Sequence, residues 1–512
     1  DNATAVGREA GRTSQGASSV AVGHDAGCNA QADNSVAIGN EAGRVSQGAE
    51  AVAVGKFAGS NQQAQYGVSI GYAAAMVSQG TESVAVGHDA GSGSQGANSV
   101  AIGPFSGLNA QGAQCVAVGH SAGSVSQGGR GVAIGYFAGK GDQGYRSIAI
   151  GSEAGQTAQG EDAVAIGYLA GRTQQSDYSV AIGHDAASNA QGTQGTAVGY
   201  LAGCVSQGAY ATAVGLASGR TSQGASSVAI GHDAGNNQQG SISVAIGASA
   251  GNGDQGVSSV AVGYFAGRVS QGNNATAVGN RAGDTSQGAQ SVALGYYAGS
   301  GDQGVSSVAI GREAAQNSQG DNCVAIGYIA GSNAQGAQSV AIGYTAGRHS
   351  QGGDSVAIGH LAGCGDQGAR SIAIGVNSGQ TSQSNDSVAI GYAAGHNSQG
   401  ANSVAYGRLA GYNQQGGLAI AIGNEAGCSD QAAYAIAIGS YSGSINQGTL
   451  SIALGYDAAK VSQPANTFRT RFASVRDTNG NEYLHITNDG EIVRGQNVSD
   501  DRLKYDEKFI TG

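Results

Sequence analysis

The chain has 512 residues, 92 of them glycine, with no tryptophan, one methionine, seven phenylalanines and a net charge of −11. This composition excludes a globular core of large side chains, and the scattered acidic charge disfavours nucleic acid, which calls for a basic stripe. No run approaches the roughly 18 apolar residues of a membrane-spanning helix, so no membrane insertion is expected.

From Ala3 to Asn466 the sequence is one sixteen-residue unit repeated 29 times without insertion or deletion. Ser227 to Ile242 is a clean copy. A fixed short period dictates architecture and overrides any prior of several globular domains. Sixteen extended residues reach about 53 Å, enough for two strands of about five residues and two corners. The fold expected is therefore all-β: a parallel β-solenoid of 29 coils, each strand pairing with its copies above and below. At about 4.8 Å per coil the array makes a rod on the order of 140 Å long.

Each unit opens on an apolar strand such as Val20-Ala21-Val22 or Ile148-Ala149-Ile150. Strand alternation sends the branched residues to one face and the central alanine to the other. The centre is alanine in every copy but one, which has Ser69. A face that admits only so small a group has something large packed against it. The reading is that Val/Ile and Gln fill the coil while the alanines, Ala229 and Ala245 among them, face a neighbouring chain. Glycine follows the strand in all 29 copies, as Gly231, marking a corner with positive φ or close backbone approach. Gln is equally invariant, as Gln239, and is expected to stack in an amide ladder. The alternative is that it caps the corner by bonding to backbone.

The residue after the corner glycine is tyrosine in ten copies: Tyr72, Tyr136, Tyr168, Tyr200, Tyr264, Tyr296, Tyr328, Tyr344, Tyr392 and Tyr456. It is histidine in six, from His24 to His360. Variation here marks an outward surface, either a binding stripe for sugars or metals or ordinary exposed strand residues. Four histidines precede an aspartate, as in His24-Asp25. Adjacent strand residues point to opposite faces, so these pairs are not expected to chelate. The six cysteines form no CxxC motif, and no metal site or cofactor is expected. Nor are disulfides within the chain, since Cys364 and Cys428 lie four coils apart.

Periodicity ends at Pro464. Residues 467–498 read as a three-strand meander, with turns at Asp477–Gly480 and Asn488–Gly490, clamping the end of the array. Residues 499–512 form a third segment.

The repeats resemble the head repeats of trimeric YadA-like adhesins, which share the Ser-Val-Ala-Ile-Gly strand and corner; the Ala-Gly-x-x-x-Gln-Gly return departs from that pattern. The resemblance covers residues 3–466 and implies a left-handed β-roll in a homotrimer. Ser499, Asp500, Arg502, Leu503 and Lys504 are similar to the opening of the intramolecular chaperone domain of phage tail spikes and large-virus fibres. That likeness implies self-cleavage before Ser499, with Ser499 as nucleophile and Lys504 as its base, although only the first fourteen residues of such a domain are present. Otherwise no nucleophile, base and acid converge, so no enzyme is expected. Together these readings point to a homotrimeric fibre shaft of a virus or phage, on the virion surface or extracellular, which attaches to a host through a cell-surface glycan or receptor. The alternative is a cellular extracellular filament or surface adhesin built from the same repeat.

Overall fold

A computed structural model describes residues 2–470, together with the backbone of two further strands, Glu482–Ile486 and Ile492–Gln496. The described residues contain no helix and build a parallel β-solenoid of about 29 turns. The chain divides into two compact units after Ile390, and each repeats the same coil.

Within residues 1–390, each Val/Ile strand pairs in parallel with the strand sixteen residues on. Val228, Ala229 and Ile230 sit opposite Val244, Ala245 and Ile246. The Gln strands do the same, Gln223 opposite Gln239. Residues 391–470 repeat the pattern, with Val404–Tyr406 on Ile420–Ile422 and Asn413–Gln415 on Ser429–Gln431. The ladder runs past Asn466: Phe468–Thr470 pairs with Ile452–Leu454 as one further rung. Of the meander expected over residues 467–498, the start at Phe468–Thr470 is instead this coil rung, Glu482–Ile486 and Ile492–Gln496 form an antiparallel hairpin, and the remaining residues from 471 on lie outside the described ones.

The strands of the coils are three residues long or shorter, not about five. The difference goes into left-handed residues. In the coil around Ala229 these are Ser226 (φ 55°), Asp233 (φ 55°), Gly235 (φ 52°) and Gln238 (φ 53°). Each non-glycine residue so placed costs about 1–2 kcal/mol in isolation, offset here by the ladder on both sides. Gly231 has φ 130°, and a Cβ there would lie 2.7 Å from the Gly247 carbonyl oxygen. Only glycine lets consecutive corners stack so closely.

The faces of the Val/Ile strand are the reverse of the expectation. Ala229 and Ala245 are fully buried inside their own coils, packed with Ala234 and Ala250 of the facing turn. The valines and isoleucines point outward, half-buried or exposed in the single chain: Ile230 is 38% and Ile246 37% exposed. Smallness did signal close approach, but the approaching surface is the opposite wall of the same coil. A Cβ on Gly235 would sit 3.2 Å from Ala229 Cβ, so the lumen has no room for a branched side chain.

Gln is the one large residue that enters the lumen. Gln239 Nε2 donates to the Val228 carbonyl at 2.8 Å and reaches the Ser243 carbonyl at 3.5 Å. The first of these bonds recurs through the array, as in Gln31 to Val20 and Gln463 to Ile452. Amide-on-amide bonds occur too, such as Gln191 to Gln207 at 2.9 Å and Gln207 to Gln223 at 3.1 Å. They are interrupted, and the carbonyl oxygens of Gln31, Gln143 and Gln239 have no partner. Backbone capping is thus the constant role and the ladder an addition to it. Ser69, in place of the strand alanine, donates to Gln79 Oε1 at 2.8 Å and accepts from Gln63 Nε2 at 3.1 Å.

Candidate functional site

Two outward features remain once the lumen is accounted for. The first is the apolar strand face. Val/Ile side chains recur at each rung, and Ile38, Ile70, Ile102, Ile134 and Leu294 are between 38% and 44% exposed. An apolar surface this continuous marks an interaction face. Sequence reasoning missed it because it placed these residues inside the coil. The signal was available: a sixteen-residue coil with so many tight turns encloses too little volume for them.

The second is the ring stripe. Its tyrosines and histidines lie not in strands but in the turn after the corner glycine. Tyr72 and His88 stack at 5.0 Å with 13° between planes. Phe57 precedes them, and Phe105, His120 and Tyr136 continue the run at centroid spacings of 5.1–5.6 Å. Tyr168, His184 and Tyr200 make a second run, and Tyr328, Tyr344 and His360 a third. Tyr264 pairs with Phe265 and Tyr296 with Tyr297. Tyr392 and Tyr456 are more open, at 52% and 64% exposed. Tyr72–His88 and Tyr328–Tyr344–His360 are stacked face to face, whereas Phe57 and Phe105 meet their neighbours edge-on and the remaining contacts of these runs are tilted. Each such ring pair contributes about 0.5–1.5 kcal/mol beyond its buried area. The stripe is therefore a splint between coils before it is a surface for sugar stacking.

The histidine–aspartate pairs also depart from the expectation. Nδ1 of His24, His88, His184 and His232 lies 2.9–3.3 Å from a carboxylate oxygen of the following aspartate. Alternation does not apply, because each aspartate is a left-handed turn residue, as Asp25 at φ 58°. The turn brings both side chains to one side.

Ion pairs cross between coils as well. Arg146 bonds Asp162, and Arg370 grips Asp386 through two bonds of 2.7 and 2.8 Å. Arg370 lowers the Asp386 pKa below the ordinary carboxylate value. Asp284, paired with Arg268 at 2.8 Å, goes the other way: its side chain is 7% exposed, and burial raises its pKa despite Arg268 and Arg281. All six cysteines are free. Cys115 is fully buried, its Sγ donating to the Gly128 carbonyl at 3.0 Å, and burial raises its pKa. An open groove of about 580 Å³ runs over the second corner, floored by Gly128, Gly144 and Gly160 and edged by Asp142 and Asp177. Asp177 is already engaged, accepting the Glu161 N–H at 2.9 Å. Ser499 and Lys504 lie outside the described residues.

Residues 14–42, 78–106, 143–170 and 318–346 match the family described as YadA head domain repeat. The matched stretches are similar to YadA head repeats, and the intervening coils carry the same strand, corner and Gln. No curated protein and no solved structure gives a match.

Proposed function

We propose that this chain is the shaft of a homotrimeric adhesin fibre whose outward Val/Ile face packs against two further copies. The observation that carries the reading is that face: a row of branched side chains left open in the single chain, beside a lumen that is already full. Fully burying a Val or Ile stabilises by about 1.5–3 kcal/mol, so covering the remaining third or so gives roughly 0.5–1 kcal/mol per residue. Repeated at every rung on three chains, this is ample for assembly. The likeness to YadA head repeats supports the same stoichiometry and a surface or extracellular setting.

The fibre projects from a virus or phage particle for host attachment. What supports this finer reading is the sequence Ser499-Asp-Asp-Arg-Leu-Lys504, similar to the start of the chaperone that assembles such fibres. In a chain carrying the whole domain, Ser499 Oγ attacks the Val498 carbonyl carbon while Lys504 takes the hydroxyl proton. The peptide C–N bond breaks as the ester forms, the freed amine takes up a proton, and water hydrolyses the ester to release the C-terminal piece. Ser499→Ala abolishes this release, and release from that variant refutes the assignment. Tyrosine hydroxyls and histidine nitrogens along the stripe are the groups offered to a cell-surface glycan or receptor. The second reading, a cellular filament or surface adhesin, rests on the repeat alone.

Sedimentation tests the central claim. A trimer is expected at micromolar concentration, and a stable monomer ends the proposal.

A further inference from the structure

We infer that Glu9, Asp25 and Cys28 form a binding site for a divalent transition-metal ion of the zinc class. One carboxylate oxygen from each acid and the Cys28 Sγ lie within 4.8 Å of one another. Glu9 belongs to the first coil and the other two to the second, so the ion bridges two stacked coils.

The site departs from a pairing seen in several coils, where an acid at the Asp25 position finds a donor three residues on. Glu9 has Arg12 at 2.8 Å, Glu41 has Arg44 at 2.6 Å, and Asp233 has Asn236 at 2.8 Å. At Asp25 that third residue is Cys28, which supplies no positive charge. Asp25 Oδ2 is held by His24 Nδ1 at 3.3 Å, whereas its Oδ1 is buried without a hydrogen-bond partner. A buried, unpartnered carboxylate oxygen is costly and awaits a cation. Independently, the Cys28 side chain is only 6% exposed and its Sγ has no hydrogen-bond partner, unlike Cys115, which donates to the Gly128 carbonyl. Both unpartnered groups belong to the same cluster.

The donor set selects the ion. A thiolate with carboxylates suits a borderline-soft cation rather than calcium or magnesium, which take oxygen alone. Bonds of about 2.0–2.3 Å to zinc bring neighbouring ligands to about 3.3–3.8 Å. The cluster therefore tightens by about 1 Å on binding, a movement the exposed Glu9 side chain supplies by leaving Arg12. His24 orients the Asp25 carboxylate as an outer-shell partner. Binding releases the thiol proton to solvent, since the thiolate is the ligand. Water fills the fourth position.

The test is a cobalt(II) titration of the full chain followed by its sulfur-to-cobalt charge-transfer absorption, with zinc as competitor. The wild type is expected to develop the band at one equivalent and lose it to zinc. Cys28→Ser abolishes the band, while Cys428→Ser, at the same repeat position beside Glu425, leaves it intact. Asp25→Asn weakens binding about tenfold or more, by analogy with losses at supporting residues. Serine occurs at the Cys28 position in other coils, so the substitution keeps the fold. A wild type without the band, or a band that survives Cys28→Ser, overturns the assignment.

Discussion

Replacing Ala229 with leucine tests which way the strand faces. Ala229 is fully buried, and a Cβ on Gly235 across the lumen would already lie 3.2 Å from its own. Leucine adds three carbons to a space closed by backbone on the far side. Overpacking of this kind costs about 1–3 kcal/mol where side chains can shift, and backbone yields less readily. To admit the larger group the coil must part, and the bonds nearest are Val228 N–H to the Ser243 carbonyl at 2.9 Å and Gln239 Nε2 to the Val228 carbonyl at 2.8 Å. At about 0.5–1.5 kcal/mol net each, their loss brings the total to roughly 2–6 kcal/mol. A long repeat array does not unfold as one unit, so a single melting temperature is a poor readout. Amide hydrogen exchange resolved by segment is the right assay, with sedimentation alongside. Protection is expected to fall across residues 211–258 and to hold in distant coils. A variant that exchanges like wild type refutes the packing of Ala229 in the lumen. So does one that gives well-protected monomers, because that is the signature of an alanine at a chain–chain contact.

The complementary change, Ile230→Asp with Ile246→Asp, places charge on the outward face. It should leave exchange protection intact and convert trimers to monomers by sedimentation; retained trimers refute the proposed interface. Gln239→Ala removes the donor to the Val228 carbonyl, leaving it unpaired beside a void, at a cost of about 1–3 kcal/mol read as local loss of protection. Opposite pH responses are expected at two ion pairs. The raised pKa of Asp284 means the folded state holds its proton more tightly, so its contribution is full below the unfolded pKa and is lost as pH rises through the folded one. The lowered pKa of Asp386 means its contribution is present above the unfolded pKa and is lost as pH falls through the folded one. On acidification through the carboxylate range, exchange should therefore slow around Asp284 and quicken around Asp386; parallel responses contradict the signs.

Much of the coil was legible because its period is unbroken. Invariant Gly231 and Gln239 announced a corner and a lumen amide, and the variable Tyr/His position announced an outward one. The face of the strand was not legible from alternation, which separates Ala229 from Val228 and Ile230 but does not say which side is inside. Volume decides that, and volume depends on how many residues the turns consume. The left-handed Ser226, Asp233 and Gln238 are chemically ordinary in sequence, so the narrowness of the coil was hidden in them. The same turns explain the misjudged His24 and Asp25, whose proximity arises from a backbone conformation that strand periodicity does not describe.

A lumen made of small residues and an amide varies little from coil to coil, and this has a consequence for the proposed assembly. The lumen faces no other chain, so in the proposed trimer a chain displaced by sixteen residues along its neighbours keeps every contact inside its own coils. Correct alignment must be read from the outside, where the coils differ. The ring run from Phe57 to Tyr136 occurs at one height, and the Arg–Asp pairs at two, Arg146–Asp162 and Arg370–Asp386. They serve as graduations on an otherwise unmarked scale. Exchanging whole coils between positions should thus preserve the stability of a single chain while eroding the precision with which chains find their common register.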